Sequence, residues 1–284
     1  AEGTMVIESL NQNKSYIYNK QRAETFLSPA SSFKIPHTLI ALNEGLVTVD
    51  SVINWDKNIG LVESCNANQT LKSSFKNSCI WVYQVFASTI DSSKYKNYLE
   101  QMDYGNKVVG NDVKNFWLDE SLKINAFEQI NFLKKLHKNN LPFKQNDIDA
   151  LKNIMIDEKT SNYQLSIVEN HLDPIEDRLT TKGFISFKKA IKDKIALHKT
   201  ETTHIICVFT LIPLKPKIIE LTHKLLYALI TENAYDIILE GFSCQRDDED
   251  DYNFEKDEFV TSTLPAITLL HELFYTLQNP IIQN

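Results

Sequence analysis

Ser31 and Lys34 stand three positions apart in Pro29-Ala30-Ser31-Ser32-Phe33-Lys34-Ile35-Pro36, just ahead of the apolar run Thr38-Leu39-Ile40-Ala41-Leu42. On a helix, residues i and i+3 share a face, so this hydroxyl and this amine can meet. A serine hydroxyl is a weak nucleophile until a neighbouring base takes its proton, and a lysine amine is such a base. Lys34 lies between Phe33 and Ile35, and burial among apolar side chains disfavours the charged form of an amine. The unpaired N–H groups of a helix start would add positive potential for an alkoxide or oxyanion. The same short pattern also describes a capping serine followed by a solvated lysine. Pro36 is expected to remove a helix bond and kink the first turn. A strained turn carrying a hydroxyl and a buried amine fits a reactive site better than a cap.

The elements around this pair can be read from periodicity and turn chemistry. Residues 3–20 alternate as two strands around a turn at Asn11-Gln12-Asn13, the second running through Tyr16-Ile17-Tyr18. Residues 70–103 read as helical. Within them, Ser78 lies in the nearly all-apolar Phe75-Lys76-Asn77-Ser78-Cys79-Ile80-Trp81-Val82-Tyr83, where a buried helical serine commonly bonds its own i−4 carbonyl. Asn125 followed by Glu128 is a helix start, with Phe127, Ile130, Leu133 and Leu136 as its apolar stripe. Leu141-Pro142-Phe143 ends that helix, and Asn146 is placed to cap another that carries Ile148, Leu151 and Met155 on one face. From about residue 167 the character changes. Ile205–Ile212 reads as a buried strand, and Pro216 opens an amphipathic helix through Ile218, Leu221, Leu225 and Leu229.

The 284 residues are 43% hydrophobic, enough for a substantial core, and carry a formal net charge of −7. That charge argues against nucleic acid as a partner, which would call for a basic face. No apolar stretch reaches the ~18 residues of a membrane span, and no signal peptide is read at Ala1-Glu2-Gly3-Thr4-Met5-Val6. The four cysteines, Cys65, Cys79, Cys207 and Cys244, form no C-x-x-C, and no metal site is expected from Cys/His spacing. Cys79 reads as a buried core thiol; Cys65 reaches it only if the loop between them folds back, and no disulfide is expected. The run Asp247-Asp248-Glu249-Asp250-Asp251 reads as a solvated loop. It also places Asp247, Glu249, Asp251, Asn253, Glu255 and Glu258 at positions 1, 3, 5, 7, 9 and 12 of a calcium-loop template, with Tyr252 where that template needs glycine.

The string Phe26-Leu27-Ser28-Pro29-Ala30-Ser31-Ser32-Phe33-Lys34-Ile35-Pro36 resembles the active-site segment of the class D, oxacillinase-type serine β-lactamases. Further matches follow in that family's order: Trp55-Asp56, then Thr70-Leu71-Lys72 leading to Ser78-Cys79-Ile80-Trp81, which resembles its S-x-V element. Tyr104-Gly105-Asn106 matches its Y-G-N triplet, although the same residues could be only a turn. Phe116-Trp117-Leu118, Ser121–Ile124, Glu128-Gln129, Phe132–Leu136 and Glu158-Lys159-Thr160 complete the set. The resemblance covers about residues 3–166, and an ordered series of this length is far more specific than any one motif.

The resemblance implies an α/β (α+β) fold of the penicillin-binding transpeptidase type: an antiparallel sheet flanked by helices, with a helical subdomain. Residues 1–230 would form the β-lactamase-like domain, diverging after about residue 166. Residues 231–284 would be an acidic C-terminal extension without an assigned role. The start of the chain resembles the middle of the family's first strand, as if an N-terminal piece had been removed or was never present; the family resemblance itself implies a periplasmic or secreted protein.

By the same resemblance, Ser31 would be the nucleophile acylated by a small-molecule β-lactam. Lys34 would be the general base, carbamylated by carbon dioxide, with no metal and no other cofactor. Ser78 would relay a proton to the leaving nitrogen. Trp117 would donate its indole N–H to the carbamate, a donor-only group suited to an anion, although it could equally fill the core. Leu118 and Ile80 would wall the pocket. Two departures stand out. Ile80 replaces the family's usual valine. The K-[ST]-G strand motif, which supplies a cation and an oxyanion-hole N–H, is missing; the nearest strings are Thr181-Lys182-Gly183-Phe184 and Lys199-Thr200-Glu201. Losing one oxyanion donor costs about 10²–10³ in rate. The first reading is therefore β-lactam hydrolysis. The second is a penicillin-binding sensor, or weakly active remnant, that is acylated without turnover. The third is a non-catalytic chimera.

Overall fold

The computed structural model describes residues 4–10, 14–60, 62–159, 163–168, 203–210 and 236–242. The calcium-loop candidate at 247–258, the strings around Lys182 and Lys199, and the helix read from Pro216 lie outside the described residues.

Strands β1 (Thr4–Ser9) and β2 (Lys14–Tyr18) form the expected antiparallel hairpin, in register from Met5 opposite Tyr18 to Ser9 opposite Lys14. Val6 and Ile7 are both buried although they point to opposite faces, because β1 is an inner strand covered on both sides. Helix α1 (Lys20–Ala23) is followed by a 3₁₀ turn (Ala30–Phe33) and by α2 (Lys34–Asn43). Every residue of α2 from Lys34 to Leu42 is buried, so this is a central helix with no solvent face. Pro36 falls in its first turn, where N–H groups have no intrahelical acceptor, so the proline costs no helix bond and the expected kink has no cause.

The segment expected to be helical over 70–103 is three helices. These are α3 (Leu71–Asn77), α4 (Ile80–Thr89) and α5 (Ser92–Met102), broken at Ser78-Cys79 and at Ile90-Asp91. Ahead of α3, β3 (Val52–Ile53) and β4 (Gln69–Thr70) make a two-stranded sheet, with a 3₁₀ turn (Glu63–Cys65) in the loop between them. That loop folds back far enough for Cys65 and Cys79 to form a disulfide, with Cα atoms 5.4 Å apart. The expectation of two free thiols is thus corrected: closure of β3 on β4, not sequence spacing, brings the cysteines together.

Helix α6 (Ala126–His137) starts where expected, with Asn125 Oδ1 accepting from the Glu128 N–H at 2.9 Å. Helix α7 (Gln145–Met155) buries Ile148, Leu151 and Met155, but its cap position is Lys144 rather than Asn146. The chain continues into β5 (Ile156–Lys159), β6 (Tyr163–Val168), β7 (Thr203–Thr210) and β8 (Asp236–Phe242).

Six of these strands form one sheet in the order β2-β1-β8-β7-β6-β5. The sheet and its flanking helices give the expected fold class. It is antiparallel at β1/β2, β1/β8 and β5/β6, as expected, but parallel at β6/β7 and β7/β8. Side-chain alternation carries no strand direction, and the connections from 168 to 203 and from 210 to 236 are long enough for the crossovers a parallel pair requires. β8 lies beyond residue 230, so this sheet contains residues on both sides of the expected boundary. Helix α6 packs on β1 and β8, and Lys134 Nζ meets Glu8 Oε2 at 2.7 Å. No helix among the described residues is long and apolar enough to cross a membrane.

Candidate active site

Ser31 lies in the 3₁₀ turn and Lys34 begins α2, so the pair straddles a junction rather than sharing an α-helical turn. In 3₁₀ geometry, residues i and i+3 eclipse one another, which keeps the two side chains on one side. The Lys34 N–H closes the turn by donating to the Ser31 carbonyl. The junction is clamped from outside. The Ala30 N–H donates to the Trp117 carbonyl (3.0 Å), Ser28 Oγ donates to the same oxygen (2.6 Å), and Ser32 Oγ donates to the Pro29 carbonyl (2.6 Å). Leu27 and Ile124 exchange backbone bonds at 3.0 and 2.8 Å. These ties hold Ala30 at φ 45°. A left-handed conformation costs a residue with a Cβ roughly 1–2 kcal/mol, and such strain persists only where its surroundings enforce it.

Ser78 is not inside a helix. It is the left-handed C-cap of α3 (φ 52°, ψ 45°), so the expected i−4 back-bond is replaced by a bend that aims the hydroxyl inward. Lys34 Nζ donates to Ser78 Oγ. Lys34 Nζ also lies 5.0 Å from the centroid of the Phe75 ring, within the reach of an amine–π contact. Ser31, Lys34 and Ser78 are 8%, 4% and 5% exposed, so all three are withdrawn from water, although Ser78 lies 44 residues beyond Lys34.

Trp117 is buried, stacked on Phe33 (6.0 Å between centroids, 22°) and edge-on to His37 (4.8 Å). It is thus core filler and, through its carbonyl, an anchor of the Ser31 turn. Leu118 and Ile80 are half-buried, Leu118 against the core and Ile80 in the first turn of α4, two residues beyond Ser78.

Two contributors escaped the sequence reading. Phe75 shares with Ser78 the role of receiving Lys34; its place three residues before that serine was the available signal. His37 follows Lys34 by three residues and is fully buried, with Nε2 and Tyr95 Oη 2.6 Å apart. Burial holds its pKa down at about 3, so the ring is neutral at ordinary pH.

The strand beside the Ser31 turn is β7, whose sequence, Thr-His-Ile-Ile-Cys-Val-Phe-Thr, contains neither lysine nor glycine.

A fold of helices over a sheet, with Lys34 bonded to Ser78 and Ser31 buried in the turn that leads into Lys34, is the architecture of the penicillin-binding transpeptidases, and similarity to known proteins agrees. Residues 3–169 match the penicillin binding protein transpeptidase domain. The chain is 42% identical to β-lactamase OXA-20 of Pseudomonas aeruginosa over 168 residues, 58% of this chain and 63% of that protein. Its structure resembles that of the class D β-lactamase from Bacillus subtilis, with a TM-score of 0.57 and 35% identity over 58% of this chain and 70% of that one. It is also 33% identical over 167 residues to the regulatory protein BlaR1 of Bacillus licheniformis, covering 58% of this chain and 28% of that protein. The chain belongs to the penicillin-binding-protein transpeptidase family, within its class D β-lactamase branch. It spans less than two thirds of the OXA-20 length.

Proposed function

We propose that this protein hydrolyses β-lactams through an acyl-enzyme on Ser31. The observation that carries the reading is the hydrogen bond from Lys34 to Ser78 beside the Ser31 turn, all three residues buried, in a chain with class D relatives. Carbon dioxide adds to the neutral Lys34 amine, a C–N bond forms and a proton leaves, giving a carbamate. The carbamate takes the Ser31 Oγ proton as Oγ bonds to the lactam carbonyl carbon. The ring C–N bond breaks, and Ser78 passes its proton to the departing nitrogen while taking up the one the carbamate had gained, which frees the carbamate again. Water, deprotonated by that carbamate, then attacks the ester carbon, and the proton returns to Ser31 Oγ as the ester C–O bond breaks. Trp117 supports the carbamate, while Leu118 and Ile80 exclude bulk water. The substrate would lie between the Ser31 turn and β7. An exported location, periplasmic or secreted, fits the Cys65–Cys79 disulfide, since such bonds persist in oxidising compartments.

A second reading is acylation without turnover, as in a sensor. It is favoured by the absence of K-[ST]-G from β7 and by the similarity to a regulatory protein. An intact-mass time course with a penicillin and bicarbonate, on wild type and Ser31→Ala, separates the two. A transient wild-type adduct with hydrolysed drug supports the enzyme, and a lasting adduct supports the sensor. Absence of any adduct on wild type removes both.

A further inference from the structure

Ser78 and Cys79 form the whole hinge between α3 and α4, and neither is glycine. A serine in the left-handed region must be held there from both sides. On the α3 side, the Ser78 N–H donates to the Phe75 carbonyl (3.3 Å) and the Cys79 N–H to the Ser74 carbonyl (3.0 Å), closing a Schellman-type end. On the α4 side, Cys79 caps the helix by accepting from the Val82 N–H (3.1 Å), and its side chain is the disulfide to Cys65. A second tether runs in parallel, from Trp81 Nε1 to the Cys65 carbonyl at 2.9 Å. Cys65 is itself anchored. Its N–H donates to the Val62 carbonyl (2.9 Å), and Gln69 Nε2 donates to the neighbouring Ser64 carbonyl (2.9 Å). Both half-cystines are buried.

Resting on the β-lactam reading above, we propose that the Cys65–Cys79 disulfide is a positioning element for Ser78. It clamps the far side of the α3–α4 hinge, so that Ser78 Oγ stays on Lys34 Nζ. Without the disulfide, only hydrogen bonds enforce the left-handed serine: the α3 end, the Cys79 carbonyl cap and the Trp81 tether. The hydroxyl then drifts from the amine, and a misplacement of about 1 Å is enough to cost about 10²-fold in rate. The cross-link joins the α3–α4 hinge to the Cys65 turn, so its loss is expected to act on the proton-transfer step rather than on substrate binding.

The test compares the full chain as oxidised protein, after phosphine reduction, and as the double variant Cys65→Ser, Cys79→Ser. The phosphine takes the oxygen of water and passes two electrons and two protons to the disulfide, giving two thiols. It is removed before benzylpenicillin is added, and iodoacetamide mass shifts verify the two additional thiols. The expected result is a fall of roughly ten-fold or more in the Ser31 acylation rate at saturating penicillin, within the range that misplacement produces. The half-saturating concentration stays near its oxidised value, and reoxidation restores the rate. An unchanged rate with both thiols free overturns the proposal. So does a loss expressed only in half-saturation.

Crystals of the double variant, or of the reduced chain if the variant does not fold, give an activity-independent reading. Ser78 leaving the left-handed region, or losing Lys34, supports the clamp; an unmoved Ser78 overturns it. Oxidised wild type that takes up no penicillin removes the β-lactam reading instead, and the crystals then decide the role of the disulfide alone.

Discussion

Lys34 is held where a hydroxyl, an aromatic face and the start of a buried helix converge. Lys34 follows Ser31 across the 3₁₀ turn as its proposed base, so Lys34→Ala is expected to slow penicillin acylation by about 10²–10⁴, the worth of a general base. Single-turnover mass spectrometry at saturating drug, on variant protein with unchanged circular dichroism, checks this. One turn along, His37 makes a different prediction. Its folded pKa is about 3, against an ordinary value of 6.5. Between these values the unfolded chain binds the proton and the folded chain does not, so stability falls as pH falls through that window. At about 1.4 kcal/mol per unit, His37 alone removes on the order of 3 kcal/mol by pH 4. Guanidinium unfolding at pH 7 and pH 4 should show a markedly smaller loss for His37→Asn than for wild type. Equal losses would mean that other groups dominate the acid limb.

At the scale of elements, the Tyr104-Gly105-Asn106 triplet is a turn with a task. Asn106 Nδ2 donates to the Ser121 carbonyl (2.8 Å), and its Oδ1 accepts from the Lys123 N–H (3.0 Å), so the turn buckles down the segment that follows Trp117. Gly105 sits at φ 57°, and a Cβ built there would run into the Lys123 carbonyl oxygen. Gly105→Ala is therefore expected to destabilise by about 2 kcal/mol or more, combining backbone strain with that clash. A clear fall in melting temperature checks it. Local chemistry of this kind was legible in the sequence: the hairpin, the Asn125 cap and the serine–lysine turn each depend on residues close in the chain. The Ser78 bend was not, because the helix-like stretch read from Phe75 to Tyr83 conceals a two-residue break whose signal is neither glycine nor proline. The Cys65–Cys79 bond was not, because it depends on where β3 meets β4. Phe75 and His37 read as core, and they are core; only the position of Lys34 gives them a second role.

For the molecule as a whole, the decisive feature is the sheet. β1, from the start of the chain, is hydrogen-bonded along its length to β8, and β8 to β7, the strand beside Ser31. The apolar run from Ile205 marks β7 as a buried strand but carries neither its partner nor its direction. Strand order depends on long-range pairing, which single-segment patterns do not encode. The sheet makes residues 236–242 inner-strand material, although the acidic composition of the region beyond residue 230 suggested an appendage. Deleting residues 231–284 should therefore strip β1 and β7 of their shared neighbour, expose two unpaired edges and uncover the face of α6 that packs on β8. The expected outcome is loss of cooperative unfolding and of Ser31 acylation together, measured by calorimetry and by penicillin adduct mass on the shortened chain. A separable extension would leave both unchanged. Retained cooperativity with lost acylation would place the contribution of β8 in aligning β7 beside the Ser31 turn rather than in holding the fold.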